Sequence, residues 1–154
     1  MRPAAGSRGG GGSVAQVDRP TVSVLVDSPV WVDYLKLGDN GPGAPLGALL
    51  RRREVMASGP VVAELLAGTP PAGRAELWIL MNGLPWADLR RDGWRRVGEV
   101  VGDLLRLGHR VPLTDAAIAV AAVDSGALLW TRDAHFDRIG EYLTDLRRFA
   151  PPDS

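Results

Sequence analysis

Four acidic residues stand where a sheet of parallel strands would use them: Asp27, Glu64, Asp115 and Asp133. Asp27 follows the apolar run Val22-Ser23-Val24-Leu25-Val26, and Asp133 comes just after Ala127-Leu128-Leu129-Trp130-Thr131. In α/β sheets ligands bind beyond the carboxyl ends of the strands, which is where both aspartates fall. Singly, each is also accounted for as a turn residue or a helix cap. Glu64 has Pro60, Val61, Ala67 and Gly68 at helical spacing, and no second charge between residues 60 and 68. Either it is a buried carboxylate, which needs a cation or a proton, or it is a solvent-exposed glutamate on a short two-sided helix. Asp115 opens a stretch, residues 114–125, that is apolar nearly all round; there an acid also serves as a cap or a favourable first-turn charge. That helix leads directly into the strand ending near Asp133. A helix-then-strand unit can return its two ends to one sheet edge, so Asp115 and Asp133 can meet near Asp27.

Together the four acids describe a cage of hard oxygen ligands. Carboxylates within a few ångströms repel one another and gain proton affinity unless a cation is present. Oxygen-only ligands favour Mg²⁺ or Mn²⁺ over zinc, and such a site with open positions suits hydrolysis of a phosphodiester. His109 and His135 are isolated in the sequence and fit surface or supporting roles better than ligation. Asp33 and Asp137 read as helix-surface acids, and the five tryptophans as core and interface residues rather than a base-stacking platform.

The elements that must position these groups alternate between strand and helix. Residues 22–26 form a short β-branched run, as in a strand buried on both faces. Ser28 is a good N-cap and Pro29 suits the first helical position, so residues 30–37 read as a helix closed by Gly38. Residues 41–45 make a loop, 46–53 a helix and 54–57 a strand. Ser58-Gly59-Pro60 opens a helix over 61–67, ended by Gly68. Residues 72–83 and 92–107 carry helical apolar spacing and predict an outer helical hairpin. The helix 114–125 is predicted to be buried; Gly126 ends it, and 127–131 is the clearest later strand. A short helix over 134–139 and a last strand over 146–149 complete one α/β domain, with a parallel sheet flanked by helices. Residues 1–20 hold a Gly-rich run, Pro3 and Pro20, the composition of a flexible extension, ahead of a domain over 21–150 and a tail over 151–154.

Composition sets the outer bounds. The chain has 154 residues, 45% hydrophobic and 23% charged, enough for one globular core. It has no cysteine, which excludes disulfides, thiol catalysis and cysteine-bound zinc. The apolar run 116–123 is too short to span a bilayer. Eighteen basic residues balance eighteen acidic ones, which argues mildly against nucleic-acid binding. All but Lys36 of the basic residues are arginines, clustered at 51–53, 90–91, 95–96 and 147–148. Such forks suit phosphate oxygens, although charge runs are more often solvated faces.

Four segments carry a family resemblance. They are Val24-Leu25-Val26-Asp27-Ser28-Pro29-Val30-Trp31, Gly59-Pro60-Val61-Val62-Ala63-Glu64-Leu65-Leu66-Ala67-Gly68, Leu113-Thr114-Asp115-Ala116-Ala117-Ile118-Ala119 and Thr131-Arg132-Asp133-Ala134-His135-Phe136. In this order and spacing the chain resembles PIN-domain ribonuclease toxins of the VapC type over about residues 22–140. The resemblance implies a PIN-like three-layer fold, a cytoplasmic Mg²⁺- or Mn²⁺-dependent endoribonuclease acting on tRNA or rRNA, neutralisation by a VapB-type antitoxin, and a homodimer. It assigns catalysis to Asp27, Glu64, Asp115 and Asp133, with Asp27 and Asp115 as direct metal ligands and Ser28 and Thr131 as hydroxyls orienting ligands or water. Pro29 departs from the pattern, standing where serine or asparagine is common, and removes a side-chain hydrogen bond near Asp27. Rival phosphate enzymes with aspartates at strand ends fit less well. They need a lysine beside the phosphate, and the only one, Lys36, ends the first helix. A non-catalytic RNA- or protein-binding PIN module is the remaining alternative, and the presence of all four acids disfavours it.

Overall fold

A computed structural model of the chain describes residues 22–152; the expected extension over 1–20 and the end of the tail lie outside them. The strand β1 (Val24–Val26) is buried at every residue, as its β-branched composition requires. It lies at the centre of a parallel sheet, flanked by β2 (Val55–Met56) and β3 (Leu128–Trp130) in the order β2-β1-β3. The registers Leu25 to Met56 and Leu25 to Leu129 bring the carboxyl ends of all three strands to one edge. The chain leaves β1 to one side for β2 and returns on the other side for β3. This is a topological switch point, the place where open α/β sheets bind ligands.

Helix α1 (Ser28–Leu37) starts one residue earlier than the sequence predicts. Asp27, not Ser28, is its N-cap, because the Asp27 side chain accepts from the Ser28 backbone N–H. Pro29 lies in the first turn, where its missing N–H costs nothing. A 3₁₀ turn (Gly38–Asn40) leads into α2 (Ala44–Arg51), which opens on Pro45. Helix α3 (Gly59–Ala67) follows β2 as its Ser-Gly-Pro opening predicts.

The outer pair α4 (Pro71–Asn82) and α5 (Arg91–Arg106) is not a hairpin. Helix α4 packs on α3, and α5 packs on α6. The segment between them runs beside β2, where Ala57 and Trp86 form a parallel bridge. Periodicity identifies the face a helix buries but not the element it buries it against.

Helix α6 (Leu113–Ser125) is buried continuously from Asp115 to Ala122. Its alanines at 116, 117, 119, 121 and 122 keep its axis close to α3, α5, α7 and β3. Helix α7 (His135–Tyr142) is anchored by buried Phe136 and Ile139. The predicted last strand over 146–149 reduces to a single bridge between Leu129 and Arg148. Trp31, Leu25, Leu46, Ile118, Leu129 and Phe136 are the fully buried centre of the core. Among the described residues no helix is long and apolar enough to cross a membrane.

Two exposed glycines test this reading of the helices. Gly126 caps α6 in the left-handed region at φ +72°, with open space around it, so Gly126→Ala should destabilise the fold by about 1–2 kcal/mol through the backbone alone. Gly98 lies within α5, also with open space; Gly98→Ala should stabilise by about 0.5–1 kcal/mol. Urea unfolding of both variants checks the opposite signs.

Candidate active site

The centre of the site is Asp27, 4% exposed at the end of the middle strand. Its Oδ1 accepts from the Ser28 N–H at 2.9 Å, and its Oδ2 accepts from the Thr131 hydroxyl at 2.7 Å. Its own N–H donates to the Trp130 carbonyl, which carries the β1–β3 pairing up to the acid. Thr131 also accepts from the Asp133 N–H at 3.0 Å, so one hydroxyl fixes the turn that presents the next acid. On the other side the Ser28 hydroxyl donates to Glu64 Oε2 at 2.5 Å. Because Asp27 is the helix cap, the Ser28 side chain is available for this bond.

Asp115 enters from the first turn of α6, nearly buried, and its Oδ2 lies 3.2 Å from His135 Nδ1. The same nitrogen lies 3.2 Å from Asp133 Oδ1. Asp133 Oδ1 in turn accepts from the His135 backbone N–H at 2.9 Å, which starts α7. The constellation therefore has two halves. Asp27 binds Ser28 and Thr131, and through Ser28 reaches Glu64; Asp115, Asp133 and His135 form a triangle whose ligand atoms lie within 4.8 Å of one another.

The electrostatics connect these halves. Burial pushes the Asp27 carboxyl above its usual range, against the hydrogen bonds from Thr131 and Ser28, and the charges of Glu64 and Asp133 add to the rise. Burial likewise pushes Asp115 up to about 6, helped by the negative charges of Asp133 and Asp27 and opposed by His135. Raised proton affinity in converging carboxylates is what a cation relieves, so the donor set fits a divalent metal ion.

All four predicted acids gather at the switch point, with Ser28 and Thr131 bonded as linkers. Of the two readings open for Glu64, the exposed one holds; it stands at the rim of the site, held by Ser28. His135 is not isolated: the Thr131–Asp133 turn places it against two of the acids. A histidine two residues beyond a strand-end aspartate, at a helix start, is the signal that could have marked it. The arginine runs fit solvated faces, with Arg51, Arg52, Arg95, Arg96 and Arg148 paired to the chain's own acids. Asp33 and Asp137 are surface acids, paired with Arg132 and Arg148. Of the tryptophans, Trp31 and Trp130 are core residues, while Trp78 and Trp94 are exposed.

The fold has known counterparts. A family model for the PIN domain matches residues 24–142, and the chain belongs to the PIN domain family. Similar solved structures include VapBC2 from Rickettsia felis bound to a DNA fragment from its promoter. That chain is 20% identical at a TM-score of 0.65, with 83% of this chain and 98% of that chain covered. FitAcB from Neisseria gonorrhoeae is 20% identical at a TM-score of 0.61, covering 85% and 99%. DNA-bound VapBC from Salmonella typhimurium is 19% identical at 0.64, covering 83% and 97%. At such identities the likeness is one of fold. No curated protein matches the chain in sequence.

The raised Asp115 carboxyl has a consequence for stability. An aspartate in the unfolded chain titrates near ~3.9, and in the fold near 6. The folded state thus holds the extra proton between those values. Its contribution is fully present below about pH 4 and is lost as pH rises through about 6. In EDTA, Asp115→Asn should therefore melt close to the wild type at pH 4 and increasingly above it by pH 7. A gap between the two melting temperatures that stays constant over this range would count against the assignment.

Proposed function

We propose that this PIN domain is the toxin of a toxin–antitoxin pair, a divalent-metal-dependent endoribonuclease that cleaves structured RNA such as tRNA or rRNA in the cytoplasm. The observation that carries the reading is the convergence of Asp27, Asp115 and Asp133 at the switch point, with Glu64 tethered to it by Ser28.

Asp27 and Asp115 would hold a Mg²⁺ or Mn²⁺ ion, which when bound supplies Lewis acidity and neutralises charge at the scissile phosphate. Thr131 and the Ser28 N–H fix Asp27 so that its carboxylate cannot rotate away. Glu64, exposed at the rim, would accept a proton from the attacking water, and Asp133 would stand beside Asp115 at the ion. Pro29 offers no side-chain donor beside Asp27; its carbonyl instead accepts from Arg132 at 3.4 Å, and Arg132 also pairs with Asp33. A groove of about 690 Å³ runs from Thr131 and Arg132 past Pro42 and Pro45 to Phe149; it adjoins the site through Thr131, which bonds Asp27.

A protein partner is supported by a second feature. Leu35 of α1 and Leu77 and Leu80 of α4 line an apolar groove of about 410 Å³, with Val32, Trp78 and Ile79 exposed on the same two helices. The neighbours named as VapBC complexes support a VapB-type antitoxin as its occupant. We include in the reading a homodimer.

Asp27→Asn and Asp115→Asn should each lower RNA cleavage at least about 100-fold with circular dichroism unchanged, and EDTA should do the same to the wild type. Sequencing of cleavage ends on purified RNA measures both. Full activity in either variant removes the assignment, and absence of cleavage in the wild type with Mn²⁺ leaves the non-catalytic binding module. Co-expression of a small reading frame adjacent to the toxin's should relieve toxicity.

Metal binding to the folded state alone should add about 2.7 kcal/mol at a hundredfold excess of Mn²⁺ over its Kd. Thermal melts should show that gain shrink in Asp115→Asn and persist in Asp145→Asn. Asp33 is an unsuitable control because its partner Arg132 adjoins Thr131.

A further inference from the structure

We propose that His135 is a direct ligand of the divalent ion at Asp115 and Asp133, giving this site a mixed nitrogen and oxygen donor set in place of the all-oxygen set that the sequence predicts. The inference rests on the metal-dependent reading above, shares Asp115 with it, and sets Asp133 and His135 beside that residue at the ion. His135 Nδ1 stands 3.2 Å from one oxygen of each aspartate, and the three atoms lie within 4.8 Å of one another. In an octahedral shell with bonds of about 2.1 Å, neighbouring donors are about 3 Å apart and opposite ones about 4.2 Å. The two sides that meet at Nδ1, 3.2 Å each, match neighbouring donors of such a shell.

Hydrogen bonding alone explains the arrangement less well. Only the contact to Asp115 has hydrogen-bond geometry, and an imidazole nitrogen carries at most one proton, so Nδ1 meets Asp133 Oδ1 at 3.2 Å without a hydrogen bond between them. A cation among the three atoms satisfies all of them at once. The imidazole is also held in place by its backbone. The His135 N–H donates to Asp133 Oδ1, and Phe136 and Ile139 bury the same helix against the core. Its side chain is 49% exposed, so an ion reaches it without any opening of the fold.

An imidazole ligand shifts preference from Mg²⁺ toward first-row transition ions. The wild type should therefore bind Mn²⁺ well ahead of Mg²⁺. His135→Gln should lower Mn²⁺ affinity about tenfold or more, while Mg²⁺ affinity changes far less. His109 lines a cavity together with His135, and is the internal control.

The deciding measurement is pulsed electron paramagnetic resonance of Mn²⁺ added to the full chain, which detects coupling to a ligated nitrogen directly and needs no RNA. Nitrogen coupling in the wild type and in His109→Gln, absent from His135→Gln, supports the ligand. Bound Mn²⁺ without nitrogen coupling in the wild type overturns it and leaves the carboxylate site standing. Coupling that survives in His135→Gln also overturns it. Failure of the wild type to bind Mn²⁺ overturns this inference and the metal-dependent reading together. If His135→Gln fails to fold, coupling retained in His109→Gln supports His135, the other of the two histidines, and coupling lost there overturns it.

Discussion

Everything at the site depends on one buried carboxylate at the end of the central strand. Asp27 is removed from water, and burial is the largest influence on its proton affinity. It is tolerated because two donors meet it, the Ser28 N–H and the Thr131 hydroxyl. Those bonds do more than compensate desolvation. One starts α1, and the other connects β1 to the turn beyond β3. An acid that caps a helix, terminates a strand and cross-links a neighbouring strand has its position over-determined, which a ligand-holding group requires.

The remaining acids arrive by different routes, each set by the packing of its element. Asp115 is carried in by α6, whose alanine-rich surface allows it to lie close to four neighbouring elements. Asp133 is presented by a turn whose geometry Thr131 fixes. Glu64 is tied to the centre through a single serine hydroxyl. The negative charges then act on one another through short distances and partial burial, and among the described residues no hydrogen bond from an arginine or lysine to any of them offsets this. Repulsion so maintained is a cost to the metal-free fold and a driving force for cation binding.

Much of this was legible in the sequence, for definite physical reasons. Apolar β-branched runs ending in aspartate identified β1 and β3, since a strand buried on both faces has few other compositions. The order of strands and helices then brought Asp27 and Asp133 to one edge, and the continuous apolarity of residues 116–123 showed that Asp115 began a buried helix. Less local features were not legible. The burial of Glu64 depended on which way a short two-sided helix turned, and it turned outward. Whether α4 and α5 packed on each other depended on contacts with α3 and α6 that no periodicity encodes. His135 has no pattern of its own; its place follows from a turn held by a hydroxyl two residues before Asp133. The N-cap moved from Ser28 to Asp27 because either residue type can cap, and only the three-dimensional partner of Ser28 decides between them.

The hydrogen bond from Thr131 to Asp27 joins residues 104 positions apart, and that separation orders events in time. During synthesis β1 emerges first, yet it must wait in the middle of a sheet whose other edge is made last. Until β3 has been made and inserted, Asp27 lacks its main side-chain donor, and neither Asp133 nor His135 has reached the site. A chain stopped short of β3 therefore carries Asp27, Glu64 and Asp115 but no assembled centre. The acids and His135 come together only after nearly the whole domain has been made.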